Sequence, residues 1–390
     1  MLGPIPFEKM TKHPAIIDVN HDTRSHENFA QSMHFEVFSN LMPGNKKVYY
    51  NQVKKKYVLK HRASPKSRQD IRKEMNKEPF HQFWSALRRT TQEMMWVASD
   101  DCIIKTEEEL IPRVNNIIKK NNNLQLNSSL NMPKYITSVD IHCMPGGYCT
   151  EARNNDVYAG ALYDRGVYSI TQGFLGPNVD AIGQTIISWL SNNYPKFVPT
   201  NILDIGCAVG HSTLPFCNHF PNSKVFAIDV SAPMLRYAAA RAESFNSNVD
   251  FIQMNAEELD FPDNFFDLVV SSATLHELST KSLNRIISEI YRVLTPGGRM
   301  VHVEQPQYEE MSLYDQFMRD WDTFGNNEPF WGTLHDLDLE KVAINSGFSK
   351  NNIIQSREYG DGGHVYNVDD KNNKTNEKQE PNWFFYSGEK

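Results

Sequence analysis

The sequence predicts an α/β fold with a mostly parallel sheet in its C-terminal part, preceded by a mostly helical N-terminal domain. Three observations lead there. From about residue 180 onward, helical patterns alternate with short apolar runs, the arrangement of parallel strands joined by crossover helices. The first of these runs, ILDI at 202–205, passes straight into a glycine turn and then a helix. Residues 1–130, by contrast, carry helical periodicity and no comparable series of strands.

In the N-terminal part, Phe29, Met33, Val37 and Leu41 recur every fourth residue, which predicts a helix over 26–42 ended by Pro43-Gly44. Ser64 and Pro65 read as the N-cap and first-turn proline of a basic helix that Pro79 stops. Phe80, Phe83, Trp84, Leu87, Met94 and Met95 form an apolar stripe, so 80–97 is expected as a packed helix. Thr106 and Glu109 have capping-box spacing for a further helix to Lys120, kinked at Pro112. The polar tract 121–131 reads as a loop, and YITSVDIH at 135–142 as a strand closed by Gly146-Gly147. The expected division is a helical domain over 1–150, serving as substrate cover or dimerisation element, and a second domain over 151–390.

The chain of 390 residues is long enough for two domains, and its five cysteines show neither an even count nor a repeated spacing. That favours a reducing, cytoplasmic setting over a disulfide framework. No run of about 18 uncharged apolar residues is present, so no membrane span is expected. Residues 41–80 hold twelve Lys or Arg against Asp70, Glu74 and Glu78, in a chain of net charge −7. Such a block is either a solvated face or dimer edge, the favoured reading, or a surface for a polyanion.

The chemistry is concentrated between 201 and 304. Asp204 lies on the first strand, and Gly206-Cys207-Ala208-Val209-Gly210 supplies a G-x-x-x-G turn before a helix near Ser212. This is neither the dinucleotide pattern nor the phosphate loop, and it points away from pyrophosphate. Nineteen residues after Gly210, Asp229 ends the strand VFAID and is followed by Val230, Ser231 and Met234. An acidic side chain there is suited to ribose hydroxyls. A third strand, 251–254, leads to Asn255-Ala256-Glu257, where a polar group can reach an adenine edge. A fourth, 266–271, ends at Ser271, with Leu275, His276 and Glu277 just beyond, and LTPGG at 294–298 opens a fifth.

Taken together, these elements make residues 160–350 resemble a class I S-adenosylmethionine (SAM)-dependent methyltransferase of the ubiquinone/menaquinone-biosynthesis-like group. The resemblance implies a Rossmann-like, seven-stranded, mostly parallel sheet with an antiparallel C-terminal hairpin, whose strands would be 352–358 and 382–388 around a flexible loop over 361–380. It implies SAM as cofactor and S-adenosylhomocysteine as product. LDIGCAVG becomes the SAM glycine loop, Asp229 the ribose ligand and Asn255-Ala256-Glu257 the adenine side. Tyr163, Tyr168, Gln172 and Gly173 fall in a segment similar to the tyrosine-containing lead-in that folds over SAM.

The insertion 306–336, with Tyr308, Tyr314, Phe317, Trp321, Phe324, Phe330 and Trp331, is expected outside the carboxyl ends of the strands. It is a candidate acceptor lid, in which Glu304, Tyr308, Tyr314, Trp321, Phe330 and Trp331 would meet a small-molecule acceptor; packing of the insertion onto the domain carries equal weight. His276 and Glu277 are the candidate catalytic residues, with His302, Glu304 and Gln305 as second choices. His142, Cys143 and Cys149 have no established metal-ligand spacing, so no metal is expected. Two competing functions remain: an RNA methyltransferase using the basic segment 46–77, and a non-catalytic SAM-binding regulatory subunit. Ser271-Ser272-Ala273-Thr274 after the fourth strand and the aromatic insertion argue against nucleic acid. The N-terminal domain is also a candidate homodimer surface.

Overall fold

The computed structural model describes residues 3–118, 123–309, 311–360 and 383–390. Its centre is one sheet of eight strands among the described residues: β1 (Leu124–Gln125), β2 (Asn201–Ile205), β3 (Lys224–Asp229), β4 (Val249–Gln253), β5 (Phe266–Ser272), β6 (Leu294–Glu304), β7 (Ile353–Glu358) and β8 (Trp383–Glu389). Their order is β1-β4-β3-β2-β5-β6-β8-β7. The first six run parallel, and β8 lies antiparallel between β6 and β7. The chain therefore winds from β2 to one side, through β3 and β4, and then returns to place β5 on the other side of β2. Ligands bind at such a reversal, beyond the carboxyl ends of the strands.

The strands alternate their side chains between two helical layers, as the period of two requires. Ile202, Val225, Phe251 and Val270 face Ile186, Leu190, Phe216 and Leu235. Leu203, Val269 and Met300 face Ile286, Ile287, Ile290 and Val342. Ile286, Ile287 and Ile290 lie on the helix Thr280–Val293, whose apolar positions recur at helical spacing, and Val342 on Leu339–Ser346.

The parallel sheet and C-terminal hairpin agree with the sequence reading, and the eighth strand corrects its count. β1 falls in the tract read as a loop: Leu124 pairs with Phe251, and Phe251 N donates to Asn123 O at 2.8 Å. Two residues are too few to leave a periodic pattern. LTPGG at 294–298 opens β6 as expected: Leu294 pairs with Phe266, and the register then shifts so that Arg299 pairs with Leu268. The loop expected over 361–380 lies outside the described residues, as does Asn382.

The N-terminal helices depart further from expectation. Pro43-Gly44 does not end a helix: helical backbone continues from His21 to His61 through two wide turns, Val37–Leu41 and Tyr49–Val53. Pro43 follows the first wide turn and sits in the first turn of Met42–Val48, where its missing N–H costs no ladder bond. Ser67, rather than Ser64, caps the basic helix, accepting from Asp70 N at 3.2 Å. Pro79 opens a helix instead of closing one, and Pro79–Ile118 runs for 40 residues without a break at Thr106. The Thr106 hydroxyl donates back to Cys102 O at 2.9 Å, which is an interior bond and not a cap. The segment 135–142 forms a helical turn, Lys134–Thr137, and the short helix Ile141–Cys143 in place of a strand. Pro133 sets the entry, and Thr137 Oγ1 donates to Pro133 O at 3.4 Å.

These helices share a core with the sheet domain. Trp96, Ile103, Leu110 and Val114 pack with Leu162, Met234 and Tyr237. Two cations of the basic segment are consumed inside the chain: Arg68 Nε donates to Asp320 at 2.9 Å and its Nη1 to Asp336 at 2.8 Å, while Arg72 also bonds Asp320. Both aspartates belong to the aromatic insertion.

The strongest tether of the first helix is a buried bidentate pair. Arg165 Nε and Nη2 donate to the two Glu27 oxygens at 2.8 and 2.6 Å, and Ser99 Oγ adds a third bond at 3.0 Å. Replacing Glu27 by Gln leaves Arg165 buried without its counter-charge, a loss of about 3–5 kcal/mol. Urea denaturation of E27Q is therefore expected to show a much lower midpoint than the parent chain; an unchanged midpoint would mean that water, not Glu27, satisfies Arg165.

Candidate functional site

At the carboxyl ends of β2, β3, β4 and β5 lies a cavity of about 810 Å³, counting its open mouth. Ile205 and Gly206 enter from β2, Ile228 to Val230 from β3, Met254 to Ala256 from β4, and Ser272 to Thr274 from β5. The glycine turn makes this possible. Gly206 and Gly210 take φ +69° and +78°, and Ala208 between them also sits at positive φ, so the backbone bends sharply beside the cavity. Gly206 N and Cys207 N both donate to Ile228 O, at 2.9 and 3.1 Å, fastening the turn to β3.

Asp229 is the polar centre of this wall. Its Oδ2 accepts from Ala208 N at 3.0 Å and its Oδ1 from Ser231 N at 2.8 Å. Burial raises its pKa, and the amides of Ser231, Ala208 and Val230 work against that rise. Each carboxylate oxygen keeps a lone pair for a ligand hydroxyl. Behind it, Asp204 is buried and accepts from Thr213 Oγ1 at 2.5 Å; burial pushes its pKa up to about 7, with the Asp229 charge adding to the shift.

Of the residues singled out in the sequence, Tyr163, Gly206, Ala208, Asp229, Val230, Met234, Asn255, Ala256 and Glu277 line the cavity. Others stand behind it. Ser231 caps the helix Ala232–Ser244, Cys207 and Leu275 are buried apolar packing, and Gly210 completes the turn. Glu257 points away, accepting from Tyr135 OH and Arg285 Nη1, both at 3.1 Å. Ser271 bonds His302 at 2.7 Å within the sheet. Tyr168 packs tilted against Phe7 and donates to Pro6 O at 3.0 Å, and Gln172 and Gly173 form the positive-φ turn beyond it.

The aromatic insertion packs instead of lining the cavity. Tyr314 stacks on Tyr49 with ring centroids 5.0 Å apart, Trp321 meets Trp84 edge-on, and Tyr308 lies under Arg68. Phe330 stands edge-on to Tyr135, and Trp331 to His276 at 5.1 Å. The aromatic rings that do line the cavity, besides Tyr163, are Tyr135 and Tyr148. Both come from the segment read as a strand and turn, and neither carries a motif.

Glu277 connects the cavity to a buried charge cluster. Its Oε1 accepts from Tyr148 OH at 3.0 Å and lies 3.3 Å from His142 Nε2 and 3.7 Å from His276 Nε2. His142 Nδ1 is 3.1 Å from Glu328 Oε1, and His276 Nδ1 is 2.7 Å from Glu304 Oε2. Glu304, fully buried, also accepts from the backbone of Thr274 and Leu275 at 2.8 and 2.6 Å, so it holds the loop after β5 and does not face the cavity. Burial alone would keep both imidazoles neutral. Glu304, Glu277 and Glu328 outweigh it at His276 and raise that ring to about 9, while Glu328 and Glu277 raise His142 well above its usual value. Glu277 Oε2 and Glu328 Oε2 are buried without a hydrogen-bond partner. Glu328 was not legible as a site residue, and His142 was weighed only with Cys143 and Cys149: the two lie 134 and 52 residues from His276, with no shared spacing.

Comparison with known proteins adds a matched domain. Residues 202–298 match the family described as a methyltransferase domain. The chain is 33% identical over 121 residues to the ubiquinone/menaquinone biosynthesis C-methyltransferase UbiE of Psychromonas ingrahamii, covering 30% of this chain and 47% of that protein. It is 34% identical over 108 residues to the demethylmenaquinone methyltransferase of Thermus thermophilus, covering 28% and 48%. The chain thus spans about half the length of the curated relatives it matches. Among solved structures, phosphoethanolamine N-methyltransferase 2 of Haemonchus contortus, in complex with SAM, is 20% identical with a TM-score of 0.44, over 58% of this chain and 57% of that one.

The wall around Asp229 yields a direct expectation. Asp229→Ala removes the acceptor facing the cavity, and the variant should bind SAM more weakly by roughly 1–3 kcal/mol. Calorimetry on the folded variant checks this, and unchanged affinity would take Asp229 out of the site.

Proposed function

We propose that the chain, whose residues 202–298 match a methyltransferase domain, is a class I SAM-dependent enzyme that transfers the methyl group of SAM to a small-molecule acceptor and releases S-adenosylhomocysteine. The observation that carries this reading is the single cavity wall on which the glycine turn, Asp229, Asn255 and Glu277 meet. The cavity suits SAM: an exposed turn for close approach of the nucleoside, a pinned carboxylate for ribose hydroxyls, and apolar Met234, Met254 and Ala256 beside an amide side chain for the base.

SAM supplies a methyl group on a positively charged sulfur, which departs as a neutral thioether when a nucleophile displaces it in line. The protein's part is positioning, exclusion of water and removal of the acceptor's proton where it carries one. Tyr135, Ile136 and Tyr148 roof the cavity from the N-terminal segment and shield it from solvent. Glu277 takes the acceptor proton on Oε2, the unpartnered oxygen, while Tyr148 and His142 hold Oε1. His276 does not line the cavity, and its Nδ1 is engaged by Glu304; it positions the Glu277 carboxylate from behind. The lid residues Tyr308, Tyr314, Trp321, Phe330 and Trp331 act through packing, by fixing the insertion against the N-terminal helices.

The helical segment 1–150 is, in this reading, the cover of the active site. Among the described residues no helix is long and apolar enough to cross a membrane. The pairing of Arg68 and Arg72 with Asp320 and Asp336 gives part of the basic segment an internal role that needs no nucleic acid.

The test combines two measurements. Calorimetric titration with SAM is expected to show one site per chain, and release of S-adenosylhomocysteine in the presence of fractionated metabolites is expected to identify the acceptor. Glu277→Gln should then lower turnover by about 10²–10⁴-fold if the acceptor arrives protonated. SAM binding without turnover in any fraction would leave a regulatory binding protein as the better reading.

A further inference from the structure

The cluster behind Glu277 contains more ligating groups than proton transfer requires. We propose that His142, His276 and Glu328 bind a divalent transition-metal ion of the zinc class, seated on the far side of Glu277 from the cavity. Each of the three places one ligating atom within 4.8 Å of the other two. Ligands about 2.0–2.2 Å from a common ion stand roughly 3–4.4 Å from one another, so a small inward movement of these side chains closes the site.

Three features favour an ion over a self-contained hydrogen-bond network. First, Glu328 is 1% exposed, and its Oε2 has no hydrogen-bond partner although it stands 3.8 Å from His276 Nε2. A buried carboxylate oxygen left bare costs free energy that a cation recovers. Second, His276 has its Nδ1 fixed by Glu304 at 2.7 Å, which leaves Nε2 aimed at Glu328 and Glu277; a carboxylate behind the imidazole is the usual support of a metal-ligating histidine. Third, Glu328 Oε1 is steadied by Asn326 Nδ2 at 2.6 Å, and the His142 carbonyl by Gln92 Nε2 and Trp96 Nε1 at 3.2 and 2.7 Å, so the ligands are held by their surroundings.

Two imidazoles with a carboxylate suit zinc, iron, cobalt or nickel and disfavour magnesium and calcium, which take oxygen ligands. Glu277 Oε1, 3.3 and 3.7 Å from the two Nε2 atoms, stands where a further ligand would approach. The ion would thereby lock the carboxylate of a residue that lines the cavity. That consequence rests on the methyltransferase reading; the binding site itself does not.

The full-length chain, dialysed against a chelator, is titrated with Zn²⁺ by calorimetry, alongside His142→Gln and Glu328→Gln. The parent chain is expected to bind one equivalent and to melt at a higher temperature with it. Each variant is expected to lose affinity by more than the roughly 10–100-fold that removal of an outer partner costs. Co²⁺ loaded into the parent chain reports the ligands without any substitution: d–d bands with no sulfur-to-cobalt charge transfer are expected. No Zn²⁺ binding, equal binding by parent and both variants, or a thiolate band that moves the ion to the cysteines would each overturn the proposal. SAM titration of the same chelator-treated samples separates the two ideas, since His142, His276 and Glu328 do not line the cavity. SAM binding without Zn²⁺ binding removes the metal alone, and Zn²⁺ binding without SAM binding removes the methyltransferase reading alone.

Discussion

The carboxylate of Asp229, pinned by the amides of Ala208 and Ser231, is the constraint on which the cavity depends. It ties the end of β3 to the turn after β2 and to the start of the next helix. Three elements that would otherwise splay at the edge of a parallel sheet are thereby held to one surface. Positive φ at Gly206, Ala208 and Gly210 is the conformational cost of that arrangement, and the fastening of the turn to Ile228 O offsets it. Because both oxygens are already oriented, a ligand hydroxyl meets a preformed acceptor, which is what tight binding of a small polar molecule needs.

The N-terminal half completes what the sheet begins. A bare parallel sheet offers a crevice at its carboxyl edge, open to water on one side. Here Tyr135, Ile136 and Tyr148 line it as well, which in the proposed reading makes their segment the cover, and that segment is anchored by Trp96 and Gln92 of the 40-residue helix through the His142 carbonyl. That helix in turn holds the aromatic insertion, through Arg88 on Asp322 at 2.7 Å and Trp84 on Trp321. The cover, the long helix and the insertion form one mechanical chain that ends at Glu328. The buried cluster sits where that chain meets the loop after β5.

How much of this was legible follows from what each signal requires. The strands β2, β3 and β5 were readable because each combines an apolar run with a chemically marked end: the glycine turn, Asp229, and the Ser271 to Glu277 loop. Gly206, Ala208, Asp229, Val230 and Glu277 were accordingly read at those ends and line the cavity, but Ser272 to Thr274 line it where Ser271 was named. Tyr135, Tyr148 and Glu328 were not read, and His142 was weighed only as a metal ligand with Cys143 and Cys149, since tertiary packing alone brings them to the site. Proline signals misled in the N-terminal half because tolerance of proline depends on its place in a turn. Pro43 follows a wide turn and Pro79 begins a helix, and neither breaks one. Likewise the aromatic content of 306–336 announced burial without saying against what. Tyr314 and Trp321 found Tyr49 and Trp84, not a ligand.

The central claim is that one cavity, walled by the sheet and roofed by the N-terminal segment, receives SAM. Amide hydrogen exchange of the full chain with and without SAM tests it most directly, since it reads both walls at once. Slowed exchange is predicted in 206–210, 229–234 and 254–257 together with 135–148. Protection absent from the glycine turn and the Asp229 segment, or an exchange pattern indifferent to SAM, would contradict it.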